Sequence, residues 1–246
     1  MTVTNTQSGT NVHEIAPGIH RISTPVPPSL IPGGFTFNQF LVAGKDDEPL
    51  LFHTGPRRMF PLVREAVAHV LGDVAKLRWV AFSHVEADEC GSLNDWLGAA
   101  PQATAVCSQI AAMTSVNDLA DRPPRPLGDG ESLPIGGRQL RWIDAPHVPH
   151  NWECGYLFDP STRTLLCGDL FTHGGADLPA LTESDVLAPS EALRAAMGGT
   201  AIEKNTRAIL EKLAGTEPAT LALMHGSSYR GDGGKLLRAL ADALGA

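Results

Sequence analysis

Apolar positions recur along the chain in two rhythms. The runs "GIHRIST", "FTFNQFLVAG" and "PLLFHTG", parted by Pro, Gly and Asp clusters, predict strands. "RRMFPLVREAVAHVL" then sets Met59, Leu62, Val63, Ala66, Val67 and Val70 at spacings of three and four, predicting a helix with one apolar face. The unbroken run "LRWVAFS" predicts a strand covered on both sides, and "SLNDWLGAA" a short helix. A second round follows: strand "TAVCS", helix "QIAAMTSV", a Pro/Gly-rich loop "DRPPRPLGDGESLPIGG", and strands "RQLRWIDAP", "CGYLFD" and "RTLLCGD". Helical stretches around "SEALRAAM" and "IEKNTRAILEKL", the strand "TLALMHG" and the helix "GKLLRALADALG" complete the series.

This alternation predicts an α/β layered architecture rather than an all-β one. With no long linker and no short-period repeat, residues 1–246 are expected to form one domain, with a flexible polar N-terminus at about residues 1–12. That polar start has no signal-peptide pattern, and no apolar run reaches the ~18 residues a spanning helix needs, so a cytoplasmic protein without membrane contact is expected. The net charge of -8, with no basic block, argues against nucleic-acid binding. Four cysteines without a C-x-x-C pair read as reduced thiols.

The polar chemistry collects where predicted strands end. His84 with Glu86, Asp88 and Glu89 follows "LRWVAF", His147 and His150 follow "RWIDAP", Asp169 follows "TLLCG", and His225 follows "TLALM". Strand ends are where a layered protein presents functional side chains. Acidic residues in the first turn of a helix contribute about 0.3–1 kcal/mol each, which accounts for Asp88 and Glu89 but not for His84, Glu86 or the later imidazoles. So many carboxylates and imidazoles repel one another unless a cation lies among them. Three or four negative charges would balance one or two multivalent cations, which points to a dinuclear site. Of the "PHVPH" pair, His150 is the favoured ligand and His147 a possible one. His53, in "LLFHTGP", sits at another strand end and is a further possible member. Trp152, Tyr229 and Cys154 are candidates to line the pocket.

The segments "SHVEADECGSL", "HVPHNWECGYLF", "LLCGDLF" and "ALMHGSSYRGDGG" resemble, in order and spacing, the metal-binding segments of the metallo-β-lactamase superfamily. They are most similar to its diiron branch, the oxygen-binding diiron proteins and the lactamase-like domain of flavodiiron proteins. The resemblance implies the metallo-β-lactamase fold, a four-layer αββα sandwich of α+β or α/β class. It also implies His84, Glu86 and His150 on one iron, Asp88 and His225 on the other, and Asp169 bridging. The superfamily's hydrolases carry His-x-His-x-Asp-His; Glu86 in place of the second His gives a harder, oxygen-rich set that favours iron over zinc. Two positions depart from the pattern: flavodiiron proteins generally have His where Glu89 stands, and the superfamily's "DTG" reads "HTG" at His53.

The resemblance therefore implies two Fe ions that bind, and in some relatives reduce, dioxygen or nitric oxide. No flavodoxin module or rubredoxin-like cysteine pair is recognisable, so electrons would come from an external redox donor. The alternatives are a hydrolase of an ester, thioester or lactone, with two Zn ions or a mixed Fe/Zn pair, and an oxygen-sensing module for a signalling partner. A homodimer is possible, as in the flavodiiron relatives. The loop from Asp118 to Gly137 and the stretch from Thr182 to Leu213 are candidate lids.

Overall fold

The computed structural model describes residues 1–43, 48–197 and 200–245. Gly44, which ends the second predicted strand, and residues 198–199, inside the candidate lid 182–213, lie outside this set.

The first sheet takes eight strands in chain order: β1 (Thr2–Asn5), β2 (Thr10–Ala16), β3 (Ile19–Val26), β4 (Phe35–Val42), β5 (Leu50–Phe52), β6 (Trp79–Ala81), β7 (Thr104–Ser108) and β8 (Arg125–Leu127). The second takes seven: β9 (Ser132–Ile135), β10 (Arg138–Asp144), β11 (Gly155–Asp159), β12 (Thr164–Leu166), β13 (Leu181–Thr182), β14 (Thr220–Ala222) and β15 (Ser228–Arg230), in the order β13-β15-β14-β12-β11-β10-β9. The helices are α1 (Phe60–Leu71), α2 (Ala87–Cys90), α3 (Leu93–Ala99), α4 (Gln109–Ala111), α5 (Asn117–Leu119), α6 (Leu187–Met197), α7 (Thr206–Ala214) and α8 (Gly233–Ala243). A π turn, Ala112–Val116, joins α4 to α5.

The side-chain period of two explains the layering. In β4, β5 and β6, Phe40, Val42, Leu50, Phe52, Trp79 and Ala81 face the second sheet, where they meet Leu140, Trp142, Leu157 and Leu166. The intervening Leu41, Leu51 and Val80 face the opposite way, onto Val63 and Val67 of α1 and Trp96 and Leu97 of α3. The second sheet does the same: Tyr156, Leu165 and Leu221 pack on Leu210 and Leu213 of α7 and Leu237 of α8. The result is the αββα sandwich. Strands buried on both faces read as continuous apolar runs, which is why "LRWVAF" has no alternation.

Two polar stretches that carry no strand signal in the sequence form strands. The polar N-terminus is not a free tail: β1 pairs antiparallel with β2, and the Asn5 side chain accepts from the Gln7 and Ser8 amides to close the turn. Its polarity fits an exposed edge strand, which has only one strand to pair with. The loop expected over 118–137 holds β8 and β9, because Leu127, Leu133 and Ile135 enter the core between the sheets.

Parallel pairing sets the strand ends level. Phe52 lies opposite Ala81, and His53 and His84 follow just beyond. Leu166 lies opposite Ala222, and Asp169 and His225 each stand three residues further on. The loop carrying His225 is then gripped by the first sheet. Arg21 and Asn38 both donate to the Gly226 carbonyl, at 3.0 and 2.9 Å, and the Gly226 amide donates to Thr36 Oγ1 at 2.8 Å. Gly226 has φ +88, and a Cβ there would run into the His173 ring. Gly226→Ala is accordingly expected to lower folding stability by roughly 1–3 kcal/mol, read as a reduced urea midpoint at unchanged slope.

Candidate metal centre

The ends of β6, β10, β12 and β14 deliver two groups of side chains that could each hold a metal ion: His84, Glu86, His150 and Asp169, and Asp88, Glu89 and His225. Glu86 is extended, at φ -143 and ψ 164, and immediately precedes α2, so the chain turns there and carries Asp88 and Glu89 in the helix's first turn.

In the first group, His84 Nε2 lies 2.9 Å from Glu86 Oε2 and 2.9 Å from His150 Nε2, and His150 Nε2 lies 3.1 Å from Glu86 Oε2. Donor atoms bound about 2.1 Å from one ion at right angles are about 3 Å apart, so this triangle has the edge length of a coordination sphere. In the second group, His225 Nε2 is 3.2 Å from Asp88 Oδ2 and 3.2 Å from Asp169 Oδ1. Asp169 faces both groups with different oxygens: Oδ1 toward His225, and Oδ2 toward His84 and His150 at 3.7 and 3.6 Å.

The buried hydrogen bonds fix which nitrogen points inward. His225 Nδ1 lies 2.8 Å from the Thr36 carbonyl, which can only accept, so Nδ1 carries a proton and Nε2 faces the two carboxylates. Without a cation, Nε2 must be protonated as well. The pKa of His225 is indeed pushed up to about 9: burial alone would lower it, but hydrogen bonds and charge from Asp169 and Asp88 outweigh burial. His84 is pushed up to about 12 against the same burial penalty by the neighbouring Cys154 and Glu86 and the charge of Glu89. Burial, opposed by His225, His84 and His150, leaves Asp169 well below the usual carboxylate range. Glu89 goes the other way. It is wholly buried, no N–H or hydroxyl donates to its carboxylate, its hydrogen-bond neighbour is the carboxylate of Asp88, and burial and the charge of Asp169 raise its pKa well above normal. A buried carboxylate with no donor among cation-starved neighbours fits a bound cation, which would replace the protons that otherwise neutralise the cluster.

All six residues expected as ligands lie in these two groups, as does Glu89. His147 does not: it is exposed at φ 63, and its amide is tied to the Asn151 carbonyl. Nor does His53, because its Nε2 is engaged 3.1 Å from Ser83 Oγ, which in turn lies 2.9 Å from His84 Nδ1. Burial pushes His53 down to about 3, so it stands as a neutral ring behind His84. For His84 to offer Nε2 to an ion, its Nδ1 donates to Ser83, whose hydroxyl then donates to His53.

Sequence reasoning passed over Ser83, Thr36, Asn38 and Arg21, and read His173 only as an exposed or hydrogen-bonded core histidine; it is the latter. His173 Nδ1 bonds the Phe171 carbonyl and its Nε2 accepts from the Ser227 amide, bracing the far side of the His225 loop. The only trace of this in the sequence is "THGG", which does not say what the ring touches. Gly168 has a similar role: a Cβ there would lie 2.9 Å from Ser83 Oγ, so glycine lets the second sheet approach His84 from behind.

A cavity of about 610 Å³ opens on the two groups. Phe35 stacks on His225 with ring centroids 4.4 Å apart, and Phe37 meets it edge-on at 5.4 Å. The cavity's described lining includes none of Trp152, Tyr229 or Cys154.

Two packed mixed sheets with this cluster at their strand ends define a protein of the metallo-β-lactamase superfamily, in its diiron, flavodiiron branch. More particularly, the chain belongs to the family described as "ODP family beta lactamase", whose model matches residues 35–226. It is 32% identical over 142 residues to diflavin flavoprotein A 2 of Synechocystis sp., a match covering 56% of this chain and 24% of that protein. Among solved structures it is similar to a fragment (residues 1-254) of diflavin flavoprotein A 5 from Nostoc sp., with TM-score 0.80, 22% identity and coverage of 95% of this chain and 94% of that one. It is also similar to rubredoxin oxygen:oxidoreductase from Desulfovibrio gigas, with TM-score 0.79, 19% identity and coverage of 95% and 62%. The chain thus spans about a quarter of the curated relative named above.

The proton balance can be measured. His225 has a folded pKa of about 9 against an ordinary 6.5, so its contribution to the metal-free fold is full below pH 6.5 and lost as pH rises through about 9. Glu89, with its raised pKa, acts in the same sense. In the presence of a chelator, the thermal midpoint is expected to fall steadily from pH 6.5 to about 9, while metal-loaded protein is spared much of that fall. A flat chelated profile would contradict the assignment of His225.

Proposed function

We propose that the chain is a dinuclear non-haem iron protein that binds dioxygen or nitric oxide, and reduces it when an external donor supplies electrons. The observation that carries the reading is Asp169, which turns one carboxylate oxygen to each of the two groups. In this reading His84, Glu86 and His150 hold one iron, Asp88 and His225 hold the other, and Asp169 spans them. Glu89 completes the second group. When bound, two ferrous ions supply the electron density that a diatomic ligand accepts.

The chain's own residues prepare that chemistry. Thr36 and Ser83 fix the two imidazole tautomers from behind. Phe35 and Phe37 shield His225 from water, which strengthens its interaction with charge. Glu86 keeps a pKa below normal through its hydrogen bond to His84, in spite of partial burial, so it stays anionic and contributes a hard oxygen donor. The relative from Desulfovibrio gigas is named for oxidation of rubredoxin by oxygen, and a small redox protein of that kind is the donor class proposed here. No helix among the described residues is long and apolar enough to cross a membrane.

The cavity size favours a second reading. About 610 Å³ is far more than a diatomic molecule needs, and would suit a hydrolase with zinc in the same site and an ester, thioester or lactone as substrate.

Metal analysis of anaerobically purified protein, followed by absorption spectroscopy on admitting oxygen or nitric oxide, separates the two. About two irons per chain and a new visible band are expected; zinc alone with no gas response would overturn the iron reading. Glu86→His is expected to shift the bound metal from iron toward zinc. Unchanged iron content in that variant would show that Glu86 does not select the metal.

A further inference from the structure

The cavity above the candidate metal centre is mixed in character. The ionisable groups that reach it from the strand ends belong to the two close groups of the candidate centre: Glu86, Asp88, His150, Asp169 and His225. Much of the remaining lining is apolar: Ile31, Leu193 and Met197 of α6, and Leu240 and Leu244 at the end of α8, with Phe35 stacked on His225. Leu240 and Leu244 are buried, whereas Met197 is exposed. The ion pair in that lining, Arg194 with Glu191, is closed on itself: Arg194 Nε and Nη2 reach Glu191 Oε2 at 2.9 and 2.6 Å.

A diatomic molecule is comparable in size to one water, about 30 Å³, so a cavity of about 610 Å³ exceeds it some twentyfold. Water filling such a space would find few partners along the leucine walls, and an alkyl chain or aromatic body would displace it favourably. We propose that this cavity binds an apolar organic molecule of roughly ten to twenty carbons, with its single oxygen function directed at the metal side and its body between α6 and α8. This goes beyond the iron reading and does not depend on it, since the apolar walls are there whichever metal is held.

The test is isothermal titration of the full chain with n-hexanol, n-octanol and n-decanol, in chelator and after metal loading, alongside the matching carboxylates. The alcohols are expected to bind in both states, with affinity rising about fourfold per added methylene. The carboxylates are expected to bind more tightly after loading, because bound cations outweigh the charge of Glu86, Asp88 and Asp169. Leu193→Trp on α6 and Leu244→Trp after α8 fill the cavity from lining that carries no candidate ligand. Each is expected to weaken alcohol binding by about tenfold or more without changing metal content. No alcohol binding, affinity indifferent to chain length, or wild-type affinity in both filled variants would overturn the proposal. So would self-association of the chain that closes the mouth and excludes the alcohols. Failure of the iron reading would show instead as absent iron with alcohol binding intact.

Discussion

Two sheets contribute to one cluster, and the cluster exists only if their strand ends are held in register. The grip of the first sheet on residues 223–227 is the constraint that does this. Asn38 donates to the carbonyls of Leu223 and Gly226, Arg21 joins it on Gly226, and Thr36 takes both the His225 ring and the Gly226 amide. These groups are buried, where a hydrogen bond left unmade costs about 1–3 kcal/mol, so the loop has no cheap alternative position. Arg21 is itself costly to bury, and burial lowers its pKa to about 9. A guanidinium tolerated in such a place indicates how much the fold depends on that contact.

The cluster stores the opposite kind of energy. Glu89 buried among other carboxylates and two imidazoles with facing Nε2 atoms are unfavourable in the absence of a cation, and His225 must then carry a proton between two carboxylates. The clamp and the packed sheets hold these groups together, which preorganises the cluster as a candidate metal site. The Ser83–His53 pair extends the same preparation outward, fixing the His84 ring from the side away from the site.

Much of this was legible from residues alone. Unbroken apolar runs gave away strands buried on both faces, and the repeated placement of His and Asp after those runs located the site. His150 was separable from His147 only as a preference, since both follow the same strand; the structure divides them by turning His147 outward at positive φ. His53 could be read either as a hydrogen-bonded core histidine or as a further member of the site because it ends a strand; the neighbouring strand offers Ser83 at hydrogen-bonding distance and claims its nitrogen. The N-terminal strand and β8–β9 were missed because edge pairing and loop packing carry little hydrophobic signal of their own.

The sequence by itself determined the class of fold, the strand ends that carry the candidate ligands and the surplus of negative charge, because periodicity and residue type are local properties. Only the tertiary structure decided which oxygen of Asp169 faces which group, which histidines are braces, and that an apolar cavity lies over the cluster. Those depend on residues far apart in the chain, such as Thr36 with His225 and the helices α6 and α8. Their contacts arise from packing two sheets and their flanking helices, and no spacing along the chain encodes that.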